Sequence, residues 1–240
     1  MRFDVITIFP DLIADAVRHG VLGRAVEQGL VEVCVTDLRD FCDDRHRQVD
    51  DTPYGGGPGM VMKPEPFFRA VRSLQADKSS PPHVVLLSPQ GRVMTQRHAT
   101  QLAQRDRIML LCSRYEGVDE RVREALVDEE ISIGDYVVSG GEFPALVVMD
   151  AVARLLEGVL GNQDSPQDES HSESLLEHPH YTRPALFETM AVPEVLTEGK
   201  HEDVRRWRRV ESLRRTLARR PDLLTKAELT PEDWEILGEL

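Results

Sequence analysis

Residues 132–142 of the chain read SIGDYVVSGGE, a stretch in which glycines punctuate a run of β-branched and polar residues. Two comparable strand ends precede it, LLSPQG at residues 86–91 and CSRYEG at residues 112–117. All three combine small residues, backbone donors and a few polar side chains. Ligands of open α/β sheets bind where the carboxyl ends of neighbouring strands converge. The three stretches together therefore predict one ligand site at one edge of a parallel sheet.

Outward from these stretches, β-rich segments alternate with amphipathic helical patterns as far as residue 158. This alternation is typical of an α/β fold in which helices flank a parallel sheet. Strands are predicted at Asp4–Phe9, Val31–Thr36, His83–Leu87, Arg107–Cys112 and Ile131–Val138. Helices, indicated by apolar residues at three- and four-residue spacing, are predicted at Asp11–Arg18, Pro64–Leu74, Thr95–Gln104, Asp119–Val127 and Phe143–Glu157.

A polar segment divides the chain. Residues 161–174, GNQDSPQDESHSES, have no hydrophobic periodicity, which is typical of a mobile linker. They separate an α/β domain at residues 1–160 from a small all-α domain at residues 175–240. The second domain contains an arginine-rich helix over residues 205–220, in which Trp207 is expected in the core.

Charge is distributed unevenly along the chain. The net charge of −13 disfavours a nucleic-acid partner, because neutralising phosphates is the main source of affinity for nucleic acids. Residues 200–220, however, carry nine Lys or Arg against three acids, whereas residues 162–179 carry five acids and no Lys or Arg. The basic segment suits contact with a phosphate backbone, although an ordinary solvated helix face has the same composition.

The first ten residues, the apolar runs and the cysteines indicate the cellular compartment. The first ten residues, MRFDVITIFP, resemble a strand rather than a signal peptide, and no apolar run approaches the ~20 residues that cross a bilayer. Cys34, Cys42 and Cys112 form no CxxC pair. We therefore expect a cytoplasmic protein without a membrane segment or a structural zinc ion.

Residues 51–63, DTPYGGGPGMVMK, form a glycine-rich loop whose backbone can approach a ligand closely. The loop lacks the GK[ST] ending of a phosphate-binding P-loop, and no GxGxxG follows a strand, so ordinary nucleotide and Rossmann sites lose support. A plain turn is the simpler interpretation. The neighbouring Arg45, Arg47 and Lys63 favour contact with a phosphate or a base.

These motifs resemble, in the same order and nearly from end to end, the bacterial transfer-RNA (guanine-N1)-methyltransferases of the SPOUT superfamily. The resemblance implies methyl transfer from S-adenosylmethionine to N1 of guanine 37, which is beside the anticodon and usually preceded by another guanine. It also implies a deep trefoil knot in the α/β domain, a homodimer, the transfer-RNA anticodon stem-loop as partner, and no DNA partner. The matching motifs are FDVITIFP at 3–10, YGGGPGMVMKPEP at 54–66, RYEGVDERV at 114–122, SIGDYVVSGGE at 132–142, HPHYTRP at 178–184 and RRW at 205–207.

The cofactor is implied to bind mostly through backbone atoms of the three strand-end stretches. Position 113 is usually glycine in the family, so Ser113 is a departure that a backbone contact tolerates. The implied cofactor residues are Leu87, Ser88, Pro89, Ser113, Tyr115, Glu116, Gly117, Ile133, Gly134, Tyr136, Val137, Val138, Gly140, Gly141 and Pro144.

Methylation of N1 requires a base that removes the N1 proton. The family uses an aspartate in the interdomain linker, and Glu169 occupies the matching position here, preceded by Asp168. Arg154 matches the arginine that stabilises the negative charge on the guanine O6. Without the resemblance, the two acids would be interpreted as a solvated linker and Arg154 as a surface residue. Whether magnesium assists the reaction is not indicated by the sequence.

His178 and His180 could suggest a metal site, but nothing else has ligand spacing. An aromatic ring and an arginine beside proline-fixed backbone instead suit stacking on an exposed base or contact with its phosphate. Two alternatives are another SPOUT reaction, such as ribose 2'-O methylation, and an RNA-binding homologue that has lost catalysis. RNA contacts are predicted at Gly56, Gly57, Gly59, Lys63, His180, Tyr181, Arg183, Arg205 and Arg208.

Overall fold

The computed structural model describes residues 1–76, 80–160 and 169–240. The chain divides into two compact units, residues 1–161 and residues 162–240.

The first unit is built on a five-stranded parallel sheet, which confirms the predicted α/β class. Its strand order is β2-β1-β6-β5-β7, and two further strands form a separate antiparallel pair, β3 with β4. The strands are β1 (Arg2–Thr7), β2 (Glu32–Asp37), β3 (Asp50–Asp51), β4 (Val61–Met62), β5 (His83–Val93), β6 (Arg107–Cys112) and β7 (Glu129–Ser132).

The central strands are buried on both faces, as expected when helices cover a parallel sheet on both sides. All six residues of β6 are buried. Along β1, Phe3 and Val5 belong to one hydrophobic cluster, whereas Ile6 belongs to the cluster on the opposite face. Side chains of a strand alternate between faces, so one strand contributes to two cores.

Six α-helices and a short 3₁₀ turn at Leu38–Phe41 flank this sheet in the described part of the first unit. The predicted helix starts are confirmed, because Pro64 is the first residue of its helix and the Thr95 side chain accepts a hydrogen bond from the His98 amide. The helices are α1 (Pro10–Ala16), α2 (Gly20–Glu27), α3 (Pro64–Leu74), α4 (Gln96–Leu102), α5 (Glu120–Leu126) and α6 (Glu142–Ala153).

The predicted strand Ile131–Val138 is wrong beyond Ser132, where β7 ends. Ser132 Oγ donates to the Gly134 carbonyl at 3.0 Å and accepts from the Gly134 amide at 3.2 Å, which closes a tight turn. Gly134 has a φ of 149°, a conformation that glycine adopts most easily. The valines that suggested a strand, Val137 and Val138, are exposed in the loop that follows.

The second unit is mostly helical, around a core of Leu175, Leu213 and Ile236. A two-stranded hairpin departs from the all-α prediction, because strands of two residues give no periodic signal. Thr230 starts the last helix with a capping box. The elements are β8 (Leu186–Phe187), β9 (Met190–Ala191), α7 (Glu194–Glu198), α8 (His201–Arg219), α9 (Pro221–Leu224) and α10 (Pro231–Glu239).

The predicted linker is described only in its last part. Residues 161–168 lie outside the described residues, whereas residues 169–174 form turns in the second unit. The His171 amide donates to the Leu175 carbonyl at 2.8 Å. Within the described ranges, no helix has the length and apolar character needed to cross a membrane.

Candidate active site

Three loops form one cleft: residues 88–91 within β5, and the loops that follow β6 and β7. The register explains their convergence, because Leu87 of β5 lies beside both Cys112 of β6 and Ile131 of β7. Fourteen of the fifteen residues predicted to bind the cofactor line this cleft: Leu87, Ser88, Pro89, Ser113, Tyr115, Glu116, Gly117, Ile133, Tyr136, Val137, Val138, Gly140, Gly141 and Pro144.

The first loop is a bulge rather than a strand exit. Both Leu87 and Arg92 pair with Ile131 of β7, so residues 88–91 project out of a strand that continues to Val93. A Cβ on Gly91 would lie 2.5 Å from the backbone carbon of Glu130. The absence of a side chain at residue 91 therefore lets the bulge return to β7.

The second loop is hydrogen-bonded to its neighbours on both sides. Ser113 Oγ donates to the Leu87 carbonyl at 2.9 Å, and the Gly141 amide donates to the Ser113 carbonyl at 2.8 Å. Tyr115 follows in a left-handed conformation with a φ of 59° and an exposed side chain. Ser113, the departure from the family pattern, thus adds a hydrogen bond that glycine cannot make.

The third loop passes so close to the second that only glycine fits. A Cβ on Gly141 would lie 2.6 Å from Cys112 Cα, and one on Gly140 would overlap the Arg114 guanidinium. Gly134 lies outside the lining, and the ring of Tyr136 lies across it instead. Gly134 therefore supports a lining residue.

A buried ion pair joins the second and third loops beneath the cleft. Glu142, fully buried at the first position of α6, accepts from Thr7 Oγ1 at 2.7 Å and from Arg114 Nε at 3.0 Å. A carboxylate is favourable at a helix N-terminus. The Arg114 guanidinium also lies over the Phe9 ring, 4.5 Å from its centroid. Nothing in the sequence indicated a role for Glu142 or Arg114, although both belong to the matching motifs.

Burial, reinforced by the nearby Glu142 carboxylate, raises the pKa of the Cys112 thiol well above its ordinary value. Thiolates, not thiols, are the reactive form of cysteine. Cys112 is therefore a core residue of the sheet and not a nucleophile.

The glycine-rich loop lies against the cleft. Gly55, Gly56, Gly57 and Gly59 all have positive φ, and the Glu116 side chain occupies the space that a Cβ on Gly59 would fill. The Glu116 amide donates to the Met60 carbonyl at 3.0 Å. Lys63 ends the loop half-buried, directly before α3. The predicted RNA contacts of this loop are thus adjacent to a predicted cofactor residue.

The predicted catalytic residues belong to different units. Arg154 directly follows α6 in the first unit and is half-buried. Glu169 lies in the second unit, where its carbonyl accepts from Ser172 Oγ at 2.6 Å. Asp168 lies outside the described residues. Across residues 1–76, 80–160 and 169–240, no cluster of three or more His, Cys, Asp or Glu side chains could hold a metal ion.

The predicted RNA contacts of the second unit are exposed. His180, Tyr181 and Arg183 lie before the β8–β9 hairpin, and Arg205 and Arg208 lie on α8, where Arg205 pairs with Glu202. The prediction that Trp207 is in the core is wrong. Trp207 is half-buried and forms part of a cavity wall with His178 and Tyr181.

Comparison with known proteins identifies the family. The family model described as "tRNA (Guanine-1)-methyltransferase TrmD" matches residues 1–226. Proteins named tRNA (guanine-N(1)-)-methyltransferase are similar over 100% of this chain: that of Pelotomaculum thermopropionicum is 55% identical over 96% of its own length, and that of Brevibacillus brevis is 53% identical over 98%. The relative from Dictyoglomus turgidum is 52% identical over 96% of its length. The resemblance seen in the sequence is thereby confirmed, and the chain belongs to the tRNA (guanine-1)-methyltransferase family.

Proposed function

We propose that this chain transfers a methyl group from S-adenosylmethionine to N1 of guanine 37, beside the anticodon of transfer RNA. Family membership over residues 1–226 and the activity named for its relatives support the reaction class. The single observation that carries the proposal is the convergence of the three loops on one cleft, lined by the residues expected to hold the cofactor.

The lining of the cleft fits S-adenosylmethionine chemically. Leu87, Ile133 and Val138 offer apolar surface for an adenine ring, while the loop backbones offer donors and acceptors for its polar edges. The Glu116 carboxylate suits a cationic group. When bound, S-adenosylmethionine supplies an electrophilic methyl group.

Glu169 is proposed as the base that takes the N1 proton of guanine. Neutral water accepts this proton poorly, so a positioned carboxylate lowers the barrier. The hydrogen bond from Ser172 Oγ to the Glu169 carbonyl favours one backbone conformation at this position. Asp168 is the neighbouring candidate.

Arg154 is proposed to stabilise the negative charge that develops on the guanine O6 as the N1 proton leaves. A guanidinium is always charged and presents several donors in a fixed plane. Its place directly after α6 fixes its backbone to a helix whose first residue is anchored by Thr7 and Arg114.

The second unit is proposed to bind the anticodon stem-loop of transfer RNA in a homodimer. The basic helix α8 supports phosphate contacts, and the exposed Tyr181 supports base contact. Phe143 and Val147, four residues apart on α6, are 54% and 47% exposed, which supports an apolar subunit interface. We also propose the trefoil knot of the SPOUT superfamily, with the 139–141 segment passing beside residues 113–114 as its support.

The proposed function is tested by identifying the methylated nucleoside. The protein is incubated with S-adenosylmethionine and a transfer RNA that has guanine at positions 36 and 37, and the digested nucleosides are analysed by mass spectrometry. The matched control RNA has adenine at position 37. We expect 1-methylguanosine with the first RNA and none with the control. A 2'-O-methylated nucleoside, or no methylation of either RNA, would contradict the proposal.

A further inference from the structure

A cavity of about 440 Å³ in the second unit is walled by aromatic rings. We call it the His178–Trp207 cavity, lined among others by His178, Tyr181, Arg183, Trp207 and Arg208. The Trp207 ring centroid lies 6.3 Å from that of His178 and 6.3 Å from that of Tyr181. The interplanar angles are 56° and 54°, so the rings are tilted and not stacked face to face. The ring faces therefore remain partly available to a planar ligand.

The aromatic rings of the cavity differ in exposure: Trp207 is partly buried against the protein, whereas Tyr181 is accessible to solvent. Trp207 projects from α8 and is half-buried, and Leu196 and Val204 add apolar surface beside it. Tyr181 is 50% exposed. Burial is the main cause that lowers the pKa of His178, so its imidazole is neutral at pH 7 and suits stacking on a neutral ring.

The charge of the cavity favours a ligand that carries phosphate. Arg183 and Arg208 belong to its wall, and none of the residues that line it, all of which the structure describes, is Asp or Glu. Glu177 approaches from outside the lining, where its carboxylate lies 3.4 Å from His180 Nε2. The chain as a whole has a net charge of −13, whereas the wall of this cavity has two arginines and no acidic residue. The cavity wall is therefore positively charged in an acidic protein.

We propose that the His178–Trp207 cavity receives one nucleobase of the anticodon loop other than the methylated guanine, with Arg183 and Arg208 on the adjoining phosphates. Single-stranded bases are commonly recognised by stacking on aromatic side chains and arginines. This inference rests on the proposed function, because it takes transfer RNA as the substrate.

Single-tryptophan variants test the inference directly. The chain has two tryptophans, so Trp234→Phe leaves Trp207 as the reporter, and Trp207→Phe leaves the exposed Trp234 of α10 as the matched control. Binding of an anticodon stem-loop RNA is expected to quench Trp207 emission and to leave Trp234 emission nearly unchanged. A scan that places one abasic nucleotide at each loop position except 37 is expected to reveal one position whose loss relieves the quenching.

Affinity provides the second readout. Tyr181→Leu, at an exposed position, and Trp207→Leu are each expected to weaken RNA binding about 5- to 150-fold, the range expected for loss of one stacked base. Trp207→Phe is expected to retain most of the affinity, and Trp234→Leu all of it. If Trp207→Leu does not fold, Tyr181→Leu carries the same test.

The outcomes separate the inference from the proposed function. RNA binding by Trp234→Phe with unchanged Trp207 emission, or an abasic scan in which no position relieves the quenching, would overturn the cavity as a base site. If the wild type still forms 1-methylguanosine at position 37, the proposed function stands. Quenching of Trp207 in Trp234→Phe, beside a wild type that binds transfer RNA but transfers no methyl group, would support the cavity and contradict the function.

Discussion

Replacing Gly141 with alanine should force apart two of the loops that form the cofactor cleft and so distort the cleft. The new Cβ would lie 2.6 Å from Cys112 Cα, at the buried end of β6, and 2.9 Å from the amide nitrogen of the next residue, Ser113. An ordinary contact of this kind is about 3.5–4 Å, so one loop must move by roughly 1 Å. Overpacking of this type costs about 1–3 kcal/mol of folding free energy. Displacement of a site by about 1 Å can also cost on the order of a hundredfold in rate.

The assay for Gly141→Ala combines calorimetric titration with S-adenosylmethionine, single-turnover methyl transfer and thermal unfolding. We expect weaker cofactor binding, a rate reduced on the order of a hundredfold, and a destabilisation of about 1–3 kcal/mol. Gly238→Ala is the matched control, because nothing lies within 4 Å of a Cβ at that position of α10. Cofactor affinity equal to the wild type in Gly141→Ala would refute the close approach of the two loops as the basis of the cleft.

Two further predictions concern buried ionic groups. Glu142→Ala leaves the Arg114 guanidinium and the Thr7 hydroxyl without their acceptor, so denaturant unfolding should show a loss of about 3–5 kcal/mol, and Glu142→Gln a smaller one. A loss below about 1 kcal/mol in Glu142→Ala would contradict the role of this pair. Arg209 lowers the pKa of Asp233 to about 2 from its ordinary value of 3.8. The stability this provides, about 1–2 kcal/mol after allowance for the partial exposure of Arg209, should be present above pH 4 and disappear as the pH falls towards 2. Asp233→Asn should remove that part of the pH dependence of unfolding, and an unchanged pH profile would count against it.

The parallel sheet and its helix starts could be predicted because their signals are local. The apolar runs around Val5 and Leu110 required only neighbours in sequence, and Pro64 and Thr95 act on the helix turn that follows them. The cleft could be predicted because parallel strands end at one edge of a sheet. Those predictions depend on properties that a short window of sequence contains.

The end of β7 could not be predicted from residue preferences. Val137 and Val138 have high strand propensity, yet the turn made by Ser132 and Gly134 takes them out of the sheet. Here a side-chain hydrogen bond and a glycine conformation outweigh local propensity. The resemblance to a family placed both valines at the cofactor site, and the structure brings them to the wall of the cleft.

Long-range partners account for the other residues that the sequence analysis missed. Glu142 would be expected on a surface, but its burial depends on Thr7, 135 residues away, and on Arg114. Trp207 was expected in the core because tryptophan in an amphipathic helix is commonly buried. Its position at a cavity wall follows from His178 and Tyr181, which approach from a different segment.

We propose that S-adenosylmethionine binds in the cleft of the first unit and that Glu169 takes the N1 proton of guanine. Single-turnover methyl transfer to transfer RNA with guanine 37, measured beside calorimetric cofactor affinity, tests it most directly in Glu169→Gln and Asp168→Asn. We predict that Glu169→Gln abolishes transfer while cofactor affinity stays close to that of the wild type, and that Asp168→Asn retains most of the rate. Wild-type rates in Glu169→Gln, or loss of transfer in Asp168→Asn alone, would contradict the assignment of Glu169 as the base.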